Sequence, residues 1–247
     1  MFDSTLLGRT AVVTGASRGI GEAIAAALLR SGADVTTLQR GPNSDALHAL
    51  ARELGRSLAH VTVDFADAGS VGAAIDEVGD TDILVNNAGT QIRHDAVDFP
   101  LTDFERVLAV NVNAVFQLSQ GFGAPMVARG SGKIVTLASL LTFQGGMRVP
   151  AYAASKGAVG QLVKALSNEW AAHGVNVNAV APGYVATDMN EALLADPQRF
   201  KQLSERIPAG RWAIPEDIAS AVVFLCTPYA DYIHGAVLPV DGGWLAR

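Results

Sequence analysis

Three side chains in the middle of the chain have the types and spacing for proton transfer. Tyr152 and Lys156 stand four residues apart in an alanine-rich segment, and Ser139 precedes Tyr152 by thirteen residues. Residues four apart share one face of a helix, so the ammonium is expected beneath the phenol ring. Because a close cation favours the phenolate, we expect a lowered pKa for Tyr152 and its use as a general acid and base. Ser139 is predicted to donate to a substrate oxygen and hold it near the phenol.

A glycine-rich turn near the N-terminus predicts a phosphate-binding site. Gly15, Gly19 and Gly21 separate the first apolar run from the first alanine-rich helix. Such glycines permit a tight turn and a close approach of the backbone to a pyrophosphate, whose charge the helix N-terminus favours. Any strand-to-helix turn also favours glycine, so this motif alone leaves a purely structural turn open. The other ligand contacts predicted in this turn are Ser17, Arg18 and Ile20.

A second polar segment follows the fourth apolar run, at residues 86–89 with the sequence Asn-Asn-Ala-Gly. Asparagine side chains order a loop by hydrogen-bonding its backbone, and the small residues leave space for a flat ring. Ligands of open α/β sheets bind at the carboxyl ends of strands, which favours a binding role over an ordinary turn. We therefore assign Asn87, Ala88 and Gly89 to the cofactor site.

Short β-branched runs alternate with helical segments along the whole chain. Continuous apolar runs of this length are typical of strands covered on both faces, and their alternation with helices indicates right-handed βαβ units. The predicted fold is α/β, a single Rossmann-like, doubly wound parallel sheet with helices on both faces. One domain over residues 1–247 is expected, because no linker or composition shift divides the chain. The predicted strands are residues 10–14, 34–38, 60–63, 83–86, 133–137, 175–180 and 236–240.

Composition and charge narrow the class of protein. With 49% hydrophobic residues and a net charge of −6 without basic runs, the chain is expected to bury a full core and to bind neither nucleic acid nor an anionic membrane. Its single cysteine, Cys226, lies in an apolar run and is interpreted as core packing. We see neither a leader peptide nor a membrane span, which predicts a cytoplasmic protein. The five histidines lack metal-ligand spacing, so no metal is expected.

Together these motifs, in this order, resemble the short-chain dehydrogenase/reductase family from Leu7 to nearly the last residue. The matching positions are residues 14–21 and 86–89, Asn111, Ser139, Tyr152, Lys156, Pro182, Gly183 and Thr187. The resemblance implies an oxidoreductase that moves a hydride reversibly between a nicotinamide cofactor and a secondary alcohol or ketone. It also implies that Tyr152 takes the hydroxyl proton. Asn111 would complete a catalytic tetrad by bending its helix, so that a water links Lys156 to solvent.

The resemblance assigns further cofactor contacts outside the two loops. It implies that Lys156 bonds the nicotinamide ribose. Asp64 with Phe65 would contact the adenine, and Val185 with Thr187 would hold the carboxamide. Pro182 and Gly183 belong to the same cofactor site.

The end of the second strand bears on the choice of cofactor. An NAD site usually carries an acidic residue there for the ribose 2′-hydroxyl, whereas an arginine accommodates a 2′-phosphate. Here the acidic position is Gln39 and Arg40 follows, while Arg18 adds a second positive charge. The sequence therefore favours NADP, with NAD as the alternative.

Several segments resemble the sugar-acid dehydrogenases of this family, of the gluconate 5-dehydrogenase and 2-deoxy-gluconate 3-dehydrogenase types: residues 143–152, 168–170, 181–187, 206–212 and 240–247. A sugar acid carries a carboxylate, which arginine binds through two parallel hydrogen bonds. Arg93 and Arg148 are predicted at the mouth of the site, although a solvated charge or a subunit contact would also explain either residue. The other predicted substrate contacts are Gln91, His94, Gln144 and Tyr184.

Two alternative functions remain open from sequence. A 3-oxoacyl-carrier-protein reductase shares the catalytic motifs but is expected to need a basic docking surface, and none is obvious in this acidic chain. A catalytically silent, NADP-sensing interaction protein is disfavoured by the intact catalytic motifs.

The resemblance implies two features of the assembled protein. A substrate lid is expected near residues 188–212. A homotetramer is expected through residues 102–120, residues 152–173 and the C-terminal segment that ends at Trp244.

Overall fold

Within residues 4–247, seven strands form one parallel sheet in the order β3-β2-β1-β4-β5-β6-β7. The computed structural model describes residues 4–247, apart from the side chains at positions 189, 191 and 192. Every predicted strand is present, and each end lies within two residues of its predicted position, which confirms the doubly wound fold. The strands are β1 (Thr10–Thr14), β2 (Asp34–Gln39), β3 (Leu58–Thr62), β4 (Ile83–Asn86), β5 (Gly132–Leu137), β6 (Val175–Pro182) and β7 (Val237–Val240).

Helices cover both faces of this sheet and connect its strands. A π-helical turn at Ala109–Asn113 separates α4 from α5, and a 3-10 turn at Leu140–Thr142 follows β5. The helices are α1 (Gly19–Arg30), α2 (Asp45–Leu54), α3 (Ala68–Val78), α4 (Leu101–Leu108), α5 (Ala114–Arg129), α6 (Pro150–Trp170), α7 (Glu191–Leu194), α8 (Pro197–Arg206) and α9 (Pro215–Cys226).

Each face of the sheet packs its own apolar core. Successive strand residues point to opposite faces, so Val13 packs with Ile24 and Val222 on one side while Val12 packs with Phe122 on the other. Cys226 is buried in the first core, and burial raises the pKa of its thiol to about 12. The prediction that this cysteine packs in the core is confirmed.

A third and smaller apolar cluster lies above the carboxyl end of the sheet. It joins Leu203 and Ile207 of α8 to Leu140, Trp212 and Trp244. We call residues 188–212, which contain α7 and α8, the upper segment. Trp244 is 2% exposed and packs into this cluster within its own chain.

The order of the strands reverses between β1 and β4, which lie side by side. Their carboxyl ends carry the glycine turn and residues 86–89, so two motifs that are distant in sequence meet at one crevice. Such a crevice is where open α/β sheets bind ligands. Between residues 4 and 247, the structure has no helix long and apolar enough to cross a membrane. Residues 1–3, the start of the segment in which no leader peptide is predicted, lie outside the described part of the chain.

Candidate active site

The glycine turn and the loop after β4 are bonded directly to each other. Asn87 Nδ2 donates to the carbonyl oxygens of Thr14 and Gly15, each at a distance of 2.9 Å. The Thr14 hydroxyl accepts from the backbone N–H groups of Asn87 and Ala88, at 2.9 and 2.8 Å. These four hydrogen bonds fix the relative position of the two loops across the crevice. Asn87 therefore orders the glycine turn as well as its own loop.

Two glycines keep this crevice open. Gly15 has a φ of +67°, and a Cβ built on it would lie 3.0 Å from Ala88 Cα. A Cβ built on Gly21 would lie 2.5 Å from Asn87 Nδ2 and closer still to the carbonyl oxygen of Gly15. Only a residue without a side chain permits these approaches.

Helix α1 begins at the floor of the crevice without a side-chain cap. Its N-cap residue, Arg18, has an extended backbone and makes no capping hydrogen bond. The first N–H groups of a helix lack partners within it, so they favour an anion here. The Arg18 guanidinium pairs with Asp188 at 3.2 Å and links the glycine turn to the upper segment.

Ser139, Tyr152 and Lys156 meet at the inner end of the crevice. Tyr152 lies in the first turn of α6, and Lys156 Nζ lies 5.6 Å from the centroid of its ring. Ser139 precedes the 3-10 turn and accepts from Leu141 N at 3.2 Å. The Ser139 hydroxyl is close enough to the Tyr152 phenol to act to lower its pKa. The three side chains are therefore arranged for proton exchange with an oxygen bound beside them.

Lys156 is 5% exposed and lies under the loop after β4. Its ammonium donates to the carbonyl oxygen of Leu137. A Cβ on Gly89 would lie 4.0 Å from Lys156 Nζ and 3.5 Å from Asn111 Oδ1, so this glycine passes close to both groups. Burial disfavours the charged amine and lowers the pKa of Lys156 to about 8.

The expected lowering of the pKa of Tyr152 is not observed. Removal from water raises this pKa, and the hydrogen bond from Ser139 offsets part of that effect. Burial penalises the phenolate, and Lys156 is itself easier to deprotonate in the same buried environment. Without ligands, the site therefore holds Tyr152 as a neutral phenol that can donate a proton.

Asn111 lies at the centre of the π-helical turn and is fully buried. Its Nδ2 donates to Thr90 O at 2.9 Å and to Ser155 Oγ at 3.0 Å, while its Oδ1 accepts from Thr90 N at 2.8 Å. A π-helical turn widens the helix and interrupts its regular hydrogen bonding. The side chain thus ties the loop after β4 to α6 at a point where the helix is distorted.

The far end of the crevice lies beyond β2. Gln39 is buried, and its Nε2 donates to Asn43 Oδ1 at 3.1 Å, whereas its Oε1 has no partner among the described residues. Arg40 and Phe65 line this end of the crevice. Asp64 accepts from Arg40 Nη2 at 2.7 Å.

The side opposite the glycine turn is formed after β6. Pro182, Gly183, Val185 and Thr187 line the crevice there. Val185 pairs with Ala213 in an isolated backbone bridge, and its carbonyl oxygen accepts from Asn190 Nδ2 at 2.9 Å. The start of the upper segment is therefore anchored beside the crevice.

The glycine turn, residues 87–89 and the side chains of Ser139, Tyr152 and Lys156 border one continuous cleft of about 1090 Å³. That volume exceeds what a small substrate alone occupies and suits a dinucleotide with a substrate beside it. The described residues that line it include six arginines and Lys156 but a single carboxylate, that of Asp188. In a chain of net charge −6, this concentration of positive charge favours anionic ligands in the cleft.

Comparison with known proteins agrees with this geometry. A family model described as enoyl-(acyl carrier protein) reductase matches residues 15–245. A 2-dehydro-3-deoxy-D-gluconate 5-dehydrogenase of Pseudoalteromonas atlantica is 49% identical over 98% of both chains. The chain belongs to the short-chain dehydrogenase/reductase family.

Solved members of the short-chain dehydrogenase/reductase family superpose on the whole chain. A protein of Agrobacterium tumefaciens, provisionally assigned as a 2-deoxy-D-gluconate 3-dehydrogenase and solved with bound NADP, has a TM-score of 0.94 at 49% identity, over 100% of this chain and 99% of that one. The gluconate 5-dehydrogenase of Burkholderia cenocepacia, solved with NADP and tartrate, has a TM-score of 0.91 at 38% identity and the same coverage. The chain is thus an oxidoreductase of this family.

The cleft fits the nicotinamide dinucleotide of a short-chain dehydrogenase/reductase. The crevice that a Cβ on Gly15 or Gly21 would fill and the uncapped start of α1 suit a pyrophosphate. The unpartnered Gln39 Oε1 is an acceptor at the far end. When bound, such a cofactor supplies the site that gives or takes a hydride.

The structure separates the predicted substrate residues into two groups. Gln91, Arg93, Gln144 and Tyr184 line the cleft. Arg148 and His94 do not line it, and their roles in substrate binding stay predictions. Arg148 has a φ of +63° and turns its guanidinium to Asp95 at 3.0 Å. His94 Nε2 lies 2.8 Å from Asp103 Oδ2, and its ring packs edge-on against Phe99.

The side chains that line the cleft and that sequence reasoning missed include Arg199, Arg206 and Trp244. The arginines lie seven residues apart on α8 with Leu203 between them, which is the spacing of one helical face. That periodicity was a signal available in the sequence. Trp244 carried no comparable signal, because its position depends on how the C-terminal segment folds over α8.

Proposed function

We propose that this short-chain dehydrogenase/reductase interconverts a secondary alcohol and a ketone of a gluconate-type sugar acid, with NADP as its preferred cofactor. The observation that carries the proposal is a proton-exchanging group, Ser139–Tyr152–Lys156, at one end of a strongly cationic cleft. A neutral polyol would need no such charge. The relatives described as sugar-acid dehydrogenases support the same substrate class.

The proton chemistry follows from the state of Tyr152. In the direction of ketone reduction, the neutral phenol donates its proton to the carbonyl oxygen as negative charge develops there. Ser139 donates to the same oxygen and holds it beside the phenol. Lys156, one helical turn away, stabilises the resulting phenolate when it is charged. Oxidation of the alcohol reverses each of these steps.

The preference for NADP rests on the far end of the cleft. Gln39 replaces the acidic residue expected of an NAD site, and the adjacent Arg40 lines the cleft. A guanidinium there favours a 2′-phosphate, which the ribose of NAD lacks. The two relatives described above were solved with NADP, which supports the same choice.

Steady-state rates on a small panel test the proposal. NADP and NAD are compared with D-gluconate, 2-deoxy-D-gluconate, the neutral polyol galactitol and an acetoacetyl thioester. We expect turnover of the acids, with kcat/KM higher for NADP than for NAD. Equal kcat/KM values for gluconate and galactitol would contradict a sugar-acid substrate, and turnover of the thioester alone would indicate an acyl reductase.

We also propose that the protein is a cytoplasmic homotetramer. Leu101 on α4 and Phe116 on α5 are 69% and 43% exposed, so apolar surface is available on the helices expected at the interface. Light scattering coupled to gel filtration should give four times the chain mass of 25.7 kDa. A monomer in that measurement would contradict the proposal.

A further inference from the structure

Helix α8 turns one face toward the cleft. Arg199, Gln202, Leu203 and Arg206 line it, at spacings of three, four and seven residues that place them on one side of a helix. Leu203 is buried in the third apolar cluster and fixes how deeply the helix sits. The two arginines are thereby held one at each end of this face.

The two guanidinium groups on this face are oriented by neutral partners. The Arg206 guanidinium carbon lies 3.9 Å from the centroid of the Trp244 ring, so the planar group stacks on the indole. Stacking leaves the N–H groups at its edge available to another ligand. Arg199 Nη1 donates to Gln202 Oε1 at 3.3 Å. Within the described part of the chain, neither arginine pairs with a carboxylate, unlike Arg18 or Arg40.

A third arginine approaches the same place from the loop after β4. Arg93 lines the cleft, and its Nη2 approaches Gln91 Oε1 at 3.5 Å. Tyr184 lines the same cleft and packs against Trp244, with ring centroids 4.8 Å apart. Burial raises the pKa of Tyr184, while the charges of Arg199, Arg206 and Arg93 each act to lower it. The charges of all three arginines therefore act on one phenol.

We propose that Arg93, Arg199 and Arg206 form the subsite for the substrate carboxylate, with Tyr184 between them. Arginine binds a carboxylate through parallel N–H donors, and three unpaired guanidinium groups suit a single anion better than a hydroxyl. Two of the three lie on the upper segment, so a bound acid joins that segment to the loop after β4. This inference rests on the proposed function, because it assigns the acid end of the same substrate.

Substitutions on α8 separate a carboxylate subsite from a general effect of the helix. Arg199→Met and Arg206→Met each remove a cation from the cleft face. Lys201→Met is the matched control, because its ammonium lies on the same helix, pairs with Glu205 at 3.9 Å and does not line the cleft. Arg206→Lys keeps the charge but loses the planar donors, so it should recover only part of the effect.

We expect the KM for D-gluconate to rise about tenfold or more in each methionine variant of Arg199 and Arg206, from the loss of a charge-assisted hydrogen bond. The KM should not change in Lys201→Met. The dissociation constant for NADPH, followed by its fluorescence, should stay within about twofold in all variants. Calorimetric titration of D-gluconate and tartrate into the enzyme with NADPH should show the same loss of binding.

The outcomes distinguish the two proposals. If the wild type oxidises gluconate and the Arg199 and Arg206 variants keep its KM, the subsite is wrong and the proposed function stands. If the wild type binds these acids without turnover and the variants lose binding, the proposed function is wrong and the subsite stands. If the wild type binds neither acid, both are overturned.

Discussion

Arg40 Nη2 donates to Asp64 Oδ1 at 2.7 Å, so the residue expected to bind a 2′-phosphate is joined to the residue expected to contact adenine. The hydrogen bond from Arg40 is the largest cause that lowers the pKa of Asp64. The side chains are 64% and 50% exposed, and an ion pair so well solvated contributes little to stability. The pair therefore positions the guanidinium at the cleft without preventing it from turning to a phosphate.

Arg40→Ala should weaken NADPH selectively. Loss of a charge-assisted hydrogen bond to phosphate, roughly 1.5–3 kcal/mol, corresponds to a dissociation constant about ten to a hundred times higher. NADH lacks the 2′-phosphate, so its dissociation constant in the same variant serves as the control and should change little. Fluorescence titration of both nucleotides measures this, and an unchanged NADPH/NADH ratio would show that Arg40 does not select the cofactor.

Tyr152→Phe should remove turnover while leaving the nucleotide site intact. General acid–base catalysis by a positioned side chain is worth about a hundredfold to ten-thousandfold, so kcat should fall at least a hundredfold. The phenyl ring keeps the packing of α6, and the dissociation constant for NADPH should remain close to the wild-type value. Rates within tenfold of the wild type would exclude the phenol as the proton donor.

Because of Lys156, the free energy of unfolding should increase as the pH rises above about 8. Its folded pKa of about 8 lies below the ordinary value of 10.5, so between these values the unfolded chain binds more protons than the native one. The free energy of unfolding of the wild type should therefore gain up to about 3 kcal/mol relative to Lys156→Met across that window. Below pH 8 the difference should be independent of pH. Urea unfolding of both proteins at pH 7, 9 and 10 measures this difference in the free energy of unfolding. A difference that is the same at all three pH values would show that folding does not lower the pKa of Lys156.

Gly21→Ala should damage the nucleotide site and the stability of the fold together. The new Cβ would meet Asn87 Nδ2 and the Gly15 carbonyl oxygen, so the bonded loops must separate. We expect a loss of more than about 2 kcal/mol in the free energy of unfolding, within the range for overpacking, and no measurable NADPH binding. Gly72→Ala in α3 is the control, since its Cβ would only touch Gln117 at 3.5 Å. That variant should gain about 0.5–1 kcal/mol and bind NADPH normally.

The sequence predicted those features that depend on local periodicity. Seven apolar runs identified the strands, and a spacing of four placed Lys156 near the Tyr152 ring. What it could not supply was the direction of side chains in irregular segments. The positive φ at Arg148 sends its guanidinium to Asp95, and no pattern in the sequence indicates that turn. The prediction of a lowered pKa for Tyr152 was wrong for a related reason. Burial raises this pKa, and the extent of burial depends on packing between segments that are distant in sequence.

The third apolar cluster shares none of its buried residues with the two cores on the sheet. Substitutions on α8 that exchange one cleft-facing side chain for another therefore leave the packing of the sheet unchanged. The packing that sets the position of α8 is thus distinct from the packing of the sheet. Variants of the cleft-facing side chains of α8 can therefore be used to test substrate binding without disturbing either of the two large cores.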